Sequence, residues 1–387
     1  MTNSWQAPDA PVPPRYGEFA VPAAPVPVAP YQGSPYQSSD PGRGWAPPPK
    51  PGLIPLRPIG FGTLLGASFQ VLRRNPKATF GSGLIVQAAI MLVTVVIVGL
   101  VTFWALDRID SAPLGQKDAV TAGSVLIGAL SLIVPVALSL IGSALLQAVI
   151  VVEVARATLG EKLRLGALWR RAATRLWPLT LWTLLLTLAL LIGVAVIAGI
   201  VVLLVSVGDV AGIVAGVLVG VFGGLLLAAA SAFMYTKTSA VPSLIVLEKL
   251  GVRASVVRSW SLTRGYFWRT LGVLLLVGLI VQVISQIVTT PVSLLFGVGT
   301  VLVDPTGAFA EQSSILSVVV SLIIAIPVAA VAAVVQSAAV ALIYLDLRMR
   351  KEGLDLELAR YVESAAQGDD VPDPYLAPAG SGGYPAA

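Results

Sequence analysis

The sequence predicts an all-α polytopic transmembrane helical bundle with six spans. Apolar residues make up 56% of the 387 residues and charged residues only 12%, whereas a soluble globular chain carries roughly 25% charged residues. A chain of this composition cannot cover itself with polar surface, so its apolar stretches need lipid as their solvent. The spacing of the charges then sets the number of spans.

Six uncharged runs each exceed the ~20 residues that a helix needs to cross the hydrocarbon core. None is long enough for two spans and a turn. The predicted spans cover about 80–106, 122–152, 177–206, 211–236, 270–299 and 314–345. Pro135, Pro291 and Pro327 are positions where a helix can break. The alternating polarity of a β-barrel is absent.

The positive charges predict the orientation. Of the 25 Lys and Arg residues, all but Arg108 and Lys117 fall in segments on one side of the six spans. Positive residues accumulate in cytoplasmic loops. We therefore expect both termini in the cytoplasm, and a multi-pass protein of the plasma membrane.

The composition predicts two disordered tails around a transmembrane domain at 57–363. Residues 1–56 are rich in Pro, Ala, Gly, Ser and Tyr without helical or strand periodicity, and residues 364–387 are similar from Gly368 onward. Such segments stay disordered and locally polyproline-like. The N-terminal tail is either a solvated tail or a ligand for a proline-recognising partner.

A basic, amphipathic segment precedes each of spans 1, 3 and 5, at 61–77, 161–177 and 249–269. In each, apolar residues recur at helical spacing and Lys or Arg residues lie beside them. Such helices typically lie in the headgroup plane, with basic side chains near anionic phosphates. The three segments predict three units of interfacial helix plus hairpin. The candidate anionic-lipid contacts are Arg73, Arg74, Arg170, Arg171, Arg258 and Arg264.

Span 4 contains glycines in an unbroken series of every fourth residue: Gly212, Gly216, Gly220 and Gly224. A row of glycines on one helix face lets a neighbouring backbone approach closely in a membrane. The series predicts helix packing against span 3 or another subunit, and a pore or ligand groove is the alternative.

Gln282 and Gln286 lie one helical turn apart at membrane depth in span 5. They are candidate intramembrane polar contacts. Glutamines at this depth commonly form interhelical hydrogen bonds. They can also line a path for a substrate or a lipid headgroup.

The chain contains neither cysteine nor histidine. Thiolate metal sites, structural disulfides and the commonest general acid and base are therefore absent.

Glu153 and Asp346 occupy matching positions at the predicted cytoplasmic ends of spans 2 and 6, and pairing with nearby arginines is the simplest role for both. We predict no catalytic residue, no cofactor and no metal site. No ionisable residue lies well inside a span, which argues against a coupled pump.

Three segments together carry a family resemblance: RPIGFGTLLGASFQVLRRNP, PSLIVLEKLGVRASVVRSWSLTRGYFWRTLGVLLLV and IYLDLRMRKEGLDLEL. They resemble a family of actinobacterial multi-pass membrane proteins of unknown function, which is similar to the membrane domain attached to some glycerophosphodiester phosphodiesterases. The resemblance implies a bacterial plasma-membrane protein. It implies no activity here, because the phosphodiesterase domain is a separate soluble barrel that relies on histidines.

The leading hypothesis is a non-enzymatic membrane module that docks a protein partner or anionic lipid on its cytoplasmic face. One alternative is a permease or lipid-translocating protein that uses Gln282 and Gln286. Another is a lipid-modifying enzyme that uses Glu153 and Asp346. The expected partners are membrane lipids and a protein bound through the Pro-rich tail or the cytoplasmic face, with no role for nucleic acid.

Overall fold

The computed structural model of the chain describes residues 52–303, 310–367 and 372–376. These residues form α-helices and one short 3-10 segment at Leu114–Gln116, with no β-strand among them, so the all-α prediction is confirmed. Residues 1–51 of the predicted N-terminal tail lie outside the described residues. The helices are α1 (Phe61–Arg74), α2 (Thr79–Asp110), α3 (Lys117–Ser131), α4 (Ile133–Thr158), α5 (Leu165–Ala173), α6 (Leu176–Val205), α7 (Val210–Lys237), α8 (Val241–Val246), α9 (Val252–Thr263), α10 (Phe267–Val303), α11 (Ala310–Glu352) and α12 (Leu354–Gln367).

Six helical stretches of the described chain are long and apolar enough to cross a membrane, as predicted. The shortest has 26 residues, more than the ~20 that the hydrocarbon core requires. The protein is therefore a multi-pass α-helical membrane protein. The six stretches are α2, α3 with α4, α6, α7 with α8, α10 and α11.

Consecutive spans pack as hairpins. α2 lies against α3 and α4, α6 against α7, and α10 against α11. α11 also contacts α1, α2 and α4, which makes it the central helix of the bundle.

The three prolines affect the helices differently. The second span is interrupted at Leu132, shortly before Pro135, because a proline within the first helical turn cannot donate a backbone hydrogen bond to the preceding segment. Pro291 and Pro327 lie inside α10 and α11, which continue past them.

Buried side chains concentrate at one end of the bundle. We call it the basic end: the end that carries α1, α5, α9 and α12. Here the last turns of α4 are buried almost all round, from Ala148 to Ala155, and so is α11 from Ala338 to Met349. In α6, by contrast, only Leu179 and Trp182 are buried, both in its first turns. The remaining apolar surface of the spans is left for lipid.

The short basic helices cover this buried end. α1 packs on α11 and buries Leu64 and Val71, and α5 packs on α4 and buries Leu168 and Ala172. We expected the apolar faces of these helices to lie in the acyl boundary. Instead, much of each apolar face packs on protein, because the apolar ends of α4 and α11 need to be covered.

Each even-numbered span is followed by a turn with positive φ and then a short helix. The turn residues are Gly160 before α5 (φ 83°), Lys249 before α9 (φ 56°) and Gly353 before α12 (φ 67°). A residue in this conformation ends a helix and redirects the chain. The turn at Gly353 separates α12 from α11.

Two short stretches of the predicted C-terminal tail, 364–367 and 372–376, have ordered structure. α12 continues to Gln367, past residue 364 where we expected the tail to begin. Residues 372–376 form a short docked segment in which Tyr375 is 1% exposed. The Tyr375 hydroxyl donates a hydrogen bond to the Ala155 carbonyl at 2.8 Å and also contacts the Thr158 hydroxyl, so this segment covers the end of α4.

Candidate functional site

Three buried carboxylates lie at the basic end, one in the last turns of α4, one in those of α11 and one just after α8. Glu153 is 1% exposed, Glu248 5% and Asp346 2%. A buried carboxylate is costly unless cations or hydrogen-bond donors compensate for its lost hydration. The surroundings of the three differ. Glu248 and Asp346 form ion pairs with arginines, whereas Glu153 forms none in the described chain.

Glu248 lies in a compact ionic cluster between α8, α9 and α11, which we call the Glu248 cluster: Glu248, Arg258, Tyr344, Arg348 and Glu352. Arg258 Nε lies 2.6 Å from Glu248 Oε2. The Tyr344 hydroxyl donates to Glu248 Oε1 at 2.9 Å and accepts from Arg348 at 3.0 Å. Arg258 and Arg348 both donate to Glu352, at 3.0 and 2.9 Å. Two carboxylates thus balance two guanidinium groups.

The electrostatics keep Arg258 charged. Burial alone lowers the pKa of its guanidinium, but the carboxylates of Glu248 and Glu352 raise it by more, so the pKa lies above its ordinary value. Arg258 is therefore a permanent cation of this cluster.

Asp346 lies in a second cluster that ties the chain before α1 to the bundle. Arg350 donates to both carboxylate oxygens at 3.0 Å, and Arg269 donates to Oδ2 at 3.3 Å. The backbone N–H of Ile59 donates to Oδ1 at 2.9 Å, and the Ile59 carbonyl accepts from both arginines. Both oxygens of Asp346 are therefore fully engaged.

Glu153 is different because its partner is neutral. Asn75 donates its side-chain amide to Glu153 Oε1 at 3.0 Å and to the Leu163 carbonyl at 3.1 Å. Glu153 Oε2 is buried and has no hydrogen-bond partner among the described residues. Arg74 and Lys162 attract it electrostatically, but neither lies within ion-pair distance.

Of the 20 described basic residues of this end, five arginines form ion pairs with carboxylates, and the other fifteen residues pair with no carboxylate of the described chain. Seven of the fifteen lie at the end of α1 and in the turn and helix of α5, and we call these seven the basic platform. The paired arginines are Arg156, Arg258, Arg269, Arg348 and Arg350. The platform residues are Arg73, Arg74, Lys77, Lys162, Arg164, Arg170 and Arg171, and all except the half-buried Arg74 are exposed.

Two contacts bring the segments of the basic platform together. Asn75, at the end of α1, donates to the Leu163 carbonyl in the turn before α5. Trp169 of α5 donates its indole N–H to the Ser82 hydroxyl of α2 at 2.9 Å. The platform therefore lies on neighbouring segments, the end of α1 and the turn and helix of α5.

The six predicted lipid contacts are divided by the structure. Arg73, Arg74, Arg170 and Arg171 belong to the basic platform. Arg264 is exposed at the end of α9, away from those segments in the sequence. The guanidinium of Arg258 is held by Glu248 and Glu352 with 16% of its side chain exposed, which makes it the weakest lipid candidate of the six.

Gln282 and Gln286 are both exposed on the outer surface of the bundle. Gln282 makes no hydrogen bond within the described chain. Gln286 accepts one long hydrogen bond, 3.4 Å, from Thr290 on the same helix. A substrate path lined by both glutamines would therefore have to run along the outer surface of the helical bundle.

The glycine series of α7 lies partly against α6. A Cβ at Gly212 would lie 2.5 Å from the Leu204 carbonyl oxygen, and one at Gly216 would lie 2.9 Å from Val205. Gly220 has looser contact with Val201 at 3.8 Å, and a Cβ at Gly224 would meet nothing within 4 Å. The close approach of α7 to α6 is therefore confined to Gly212 and Gly216, the half of the series nearest the turn between the two helices.

The Glu248 cluster was missed in the sequence. Glu248 lies beyond the predicted end of span 4 at residue 236, because α8 continues the span to Val246. Its position in the sequence could have indicated it, because Glu248 lies near the basic end of its span, as Glu153 and Asp346 do. Among the described residues there is no group of three or more carboxylates that could hold a metal ion.

Comparisons with known proteins give a family but no activity. Neither curated proteins nor solved structures gave a match. Residues 63–347 match a family described as a domain of unknown function, DUF7847. The matched region begins in α1 and ends in α11, so it contains all six spans and the three buried carboxylates. The chain belongs to the DUF7847 family of proteins of unknown function.

Proposed function

We propose that this protein is a non-enzymatic module of the bacterial plasma membrane that docks anionic phospholipid on the basic platform, at the cytoplasmic face. The orientation follows from the one-sided distribution of Lys and Arg. The family resemblance stated from the sequence supports the choice of membrane. The basic platform is the site of contact.

One observation carries the proposal: the fold pairs five arginines with carboxylates, whereas the seven cations of the basic platform lie together on neighbouring segments without a carboxylate partner in the described chain. Other carboxylates at this end pair with no Lys or Arg of the described chain, for example Asp355 and Glu363 of α12. An unpaired cluster beside apolar spans is suited to phosphate groups of anionic lipid, each Lys or Arg near such a surface contributing about 1 kcal/mol.

The alternatives are less well supported. An enzyme that uses Glu153 and Asp346 as acid and base would need Asp346 to be available, whereas two arginines and a backbone N–H occupy its oxygens. A permease that uses Gln282 and Gln286 would need them to face a path, whereas both face outward. Docking of a protein partner on the same platform would instead leave the lipid preference of the platform variant equal to that of the wild type in the test below.

The test places the purified protein in nanodiscs of phosphatidylglycerol and phosphatidylcholine in equal amounts. Native mass spectrometry then counts each lipid that stays bound. We expect the wild type to retain phosphatidylglycerol preferentially. The variant Arg73→Gln/Arg170→Gln/Arg171→Gln should lose most of that preference, since three exposed cations are removed.

The matched control is Arg108→Gln/Lys117→Gln, which removes the two cations of the opposite end and should keep the preference. Equal retention of phosphatidylglycerol by the platform variant and the wild type would refute lipid docking there. An equal loss in the control would show that the preference depends on overall charge alone.

A further inference from the structure

The outward face of α10 carries polar residues where lipid should be. Val273, Val277 and Val281 are buried and form the inner face of this helix. Gln282 and Gln286 are exposed on the other side. Since successive residues are ~100° apart around a helix, this outer stripe lies roughly opposite the inner one.

The two glutamines lie deep in the membrane. The fifth span, Phe267–Val292, is centred near residue 280, so Gln282 and Gln286 lie about 4 and 10 Å from its middle along the helix axis. Both are within half the thickness of the ~30 Å hydrocarbon core. Within the described chain Gln282 forms no hydrogen bond, and Gln286 forms only the long one with Thr290. A polar amide that faces hydrocarbon without a partner is unfavourable.

We propose that this face of α10 packs against the same face of a second copy of the chain, forming a parallel dimer. The dimer is independent of lipid docking at the basic platform. Its interface consists of Leu275, Gly278, Leu279, Gln282 and Gln286, which we call the α10 stripe.

The amide chemistry favours a second copy over another partner. A glutamine amide is both donor and acceptor, so two such groups can satisfy each other. Copies of a membrane protein insert with the same orientation, and a twofold axis along the membrane normal brings identical residues together at the same depth. Gln282 then meets Gln282, and Gln286 meets Gln286.

The spacing of the α10 stripe also fits a helix pair. Leu275, Leu279, Gln282 and Gln286 recur at intervals of four, three and four residues, which is the repeat of a two-stranded coiled coil. A Cβ added at Gly278 would meet nothing within 4 Å. No described neighbour packs closely on this small residue, which would allow close approach of a second helix.

Because the chain lacks cysteine, disulfide trapping tests the interface directly. We expect Gln282→Cys, oxidised in native membranes, to give a covalent dimer. Leu226→Cys is the control, since Leu226 is 72% exposed on α7 but lies outside the stripe. Absence of a Gln282→Cys dimer, or equal dimer formation in the control through crowding, would overturn the proposal.

The wild-type interface is tested by single-molecule photobleaching at decreasing protein-to-lipid ratio. We expect Gln282→Leu/Gln286→Leu to weaken the dimer about tenfold, since two interhelical hydrogen bonds are lost. Gln336→Leu, which replaces an exposed glutamine of α11, should leave it unchanged. A wild type that is monomeric at every ratio, or a double variant that dimerises equally well, would refute the α10 stripe.

Discussion

Asn75 donates a hydrogen bond to one oxygen of Glu153 at 3.0 Å and leaves the other oxygen without a partner in the described chain. An amide compensates for little of the charge of a buried carboxylate. In the Glu248 cluster, by contrast, Arg258 and Arg348 face the carboxylate directly. Two acids at corresponding ends of their spans therefore have opposite energetic roles.

This difference predicts opposite effects of the same substitution. Glu153→Gln keeps an oxygen for Asn75 and removes a buried charge that no cation contacts directly, so the melting temperature should stay equal or rise. Glu248→Gln leaves two largely buried guanidinium groups with too little negative charge and should cost about 3–5 kcal/mol. Thermal unfolding of both variants in the same detergent measures the contrast.

A large destabilisation by Glu153→Gln would contradict this prediction. A loss comparable to that of Glu248→Gln would mean that Glu153 is held by a cation, with Arg74 or Lys162 as the candidates. Glu161→Gln controls for a general effect of charge, since Glu161 is 40% exposed and pairs with Arg156 only at 3.7 Å.

The six spans could be predicted from the sequence because the thickness of the hydrocarbon core imposes a minimum length on each apolar run. The Glu248 cluster could not. Its members come from the turn after α8, from α9 and from α11, and only tertiary packing decides which arginine meets which carboxylate. The same limit applies to Arg258, which resembles Arg170 in sequence but is engaged in an ion pair.

The direction that a polar residue faces was also beyond the sequence. The spacing of Gln282 and Gln286 places them on one face of α10 but does not say whether that face meets α11 or lipid. The apolar faces of α1 and α5 posed the same problem. Their periodicity is equally consistent with lipid and with the protein surface that Leu64 and Leu168 contact.

The docked segment 372–376 should depend on the Tyr375 hydroxyl. Tyr375→Phe removes hydrogen bonds to the Ala155 carbonyl and the Thr158 hydroxyl, and a buried hydrogen bond contributes about 0.5–1.5 kcal/mol. Hydrogen exchange of the C-terminal peptide should therefore accelerate. Leu376→Ala, at a residue 40% exposed, should change it much less. Unchanged exchange in Tyr375→Phe would exclude the hydroxyl as the anchor.

The same tyrosine predicts a pH dependence. Burial raises the pKa of the Tyr375 phenol above its ordinary value of ~10. The docked state therefore favours the protonated phenol: its contribution is complete below pH ~10 and is lost as the pH rises through the raised pKa. Exchange of the segment should be constant from neutral pH to about 10, after correction for intrinsic exchange, and rise above it. An earlier rise would point to other groups.

The glycines of α7 should differ in their tolerance of side chains. Gly216→Leu would force atoms into Val205 of α6, where even a Cβ lies at 2.9 Å, and overpacking of this kind costs about 1–3 kcal/mol. Gly224→Leu adds the same side chain where a Cβ meets nothing within 4 Å, so it should be tolerated. Equal unfolding temperatures for the two variants would contradict close α6–α7 packing.

The proposed orientation can be tested with single cysteines at the two ends. Gln116→Cys, exposed between α2 and α3, should react with a membrane-impermeant thiol reagent in intact cells. Arg171→Cys, exposed on α5, should react only after permeabilisation. Reactivity of both in permeabilised cells is the control for accessibility. The reverse pattern would place the basic platform outside, away from the anionic cytoplasmic leaflet on which the proposed lipid docking depends.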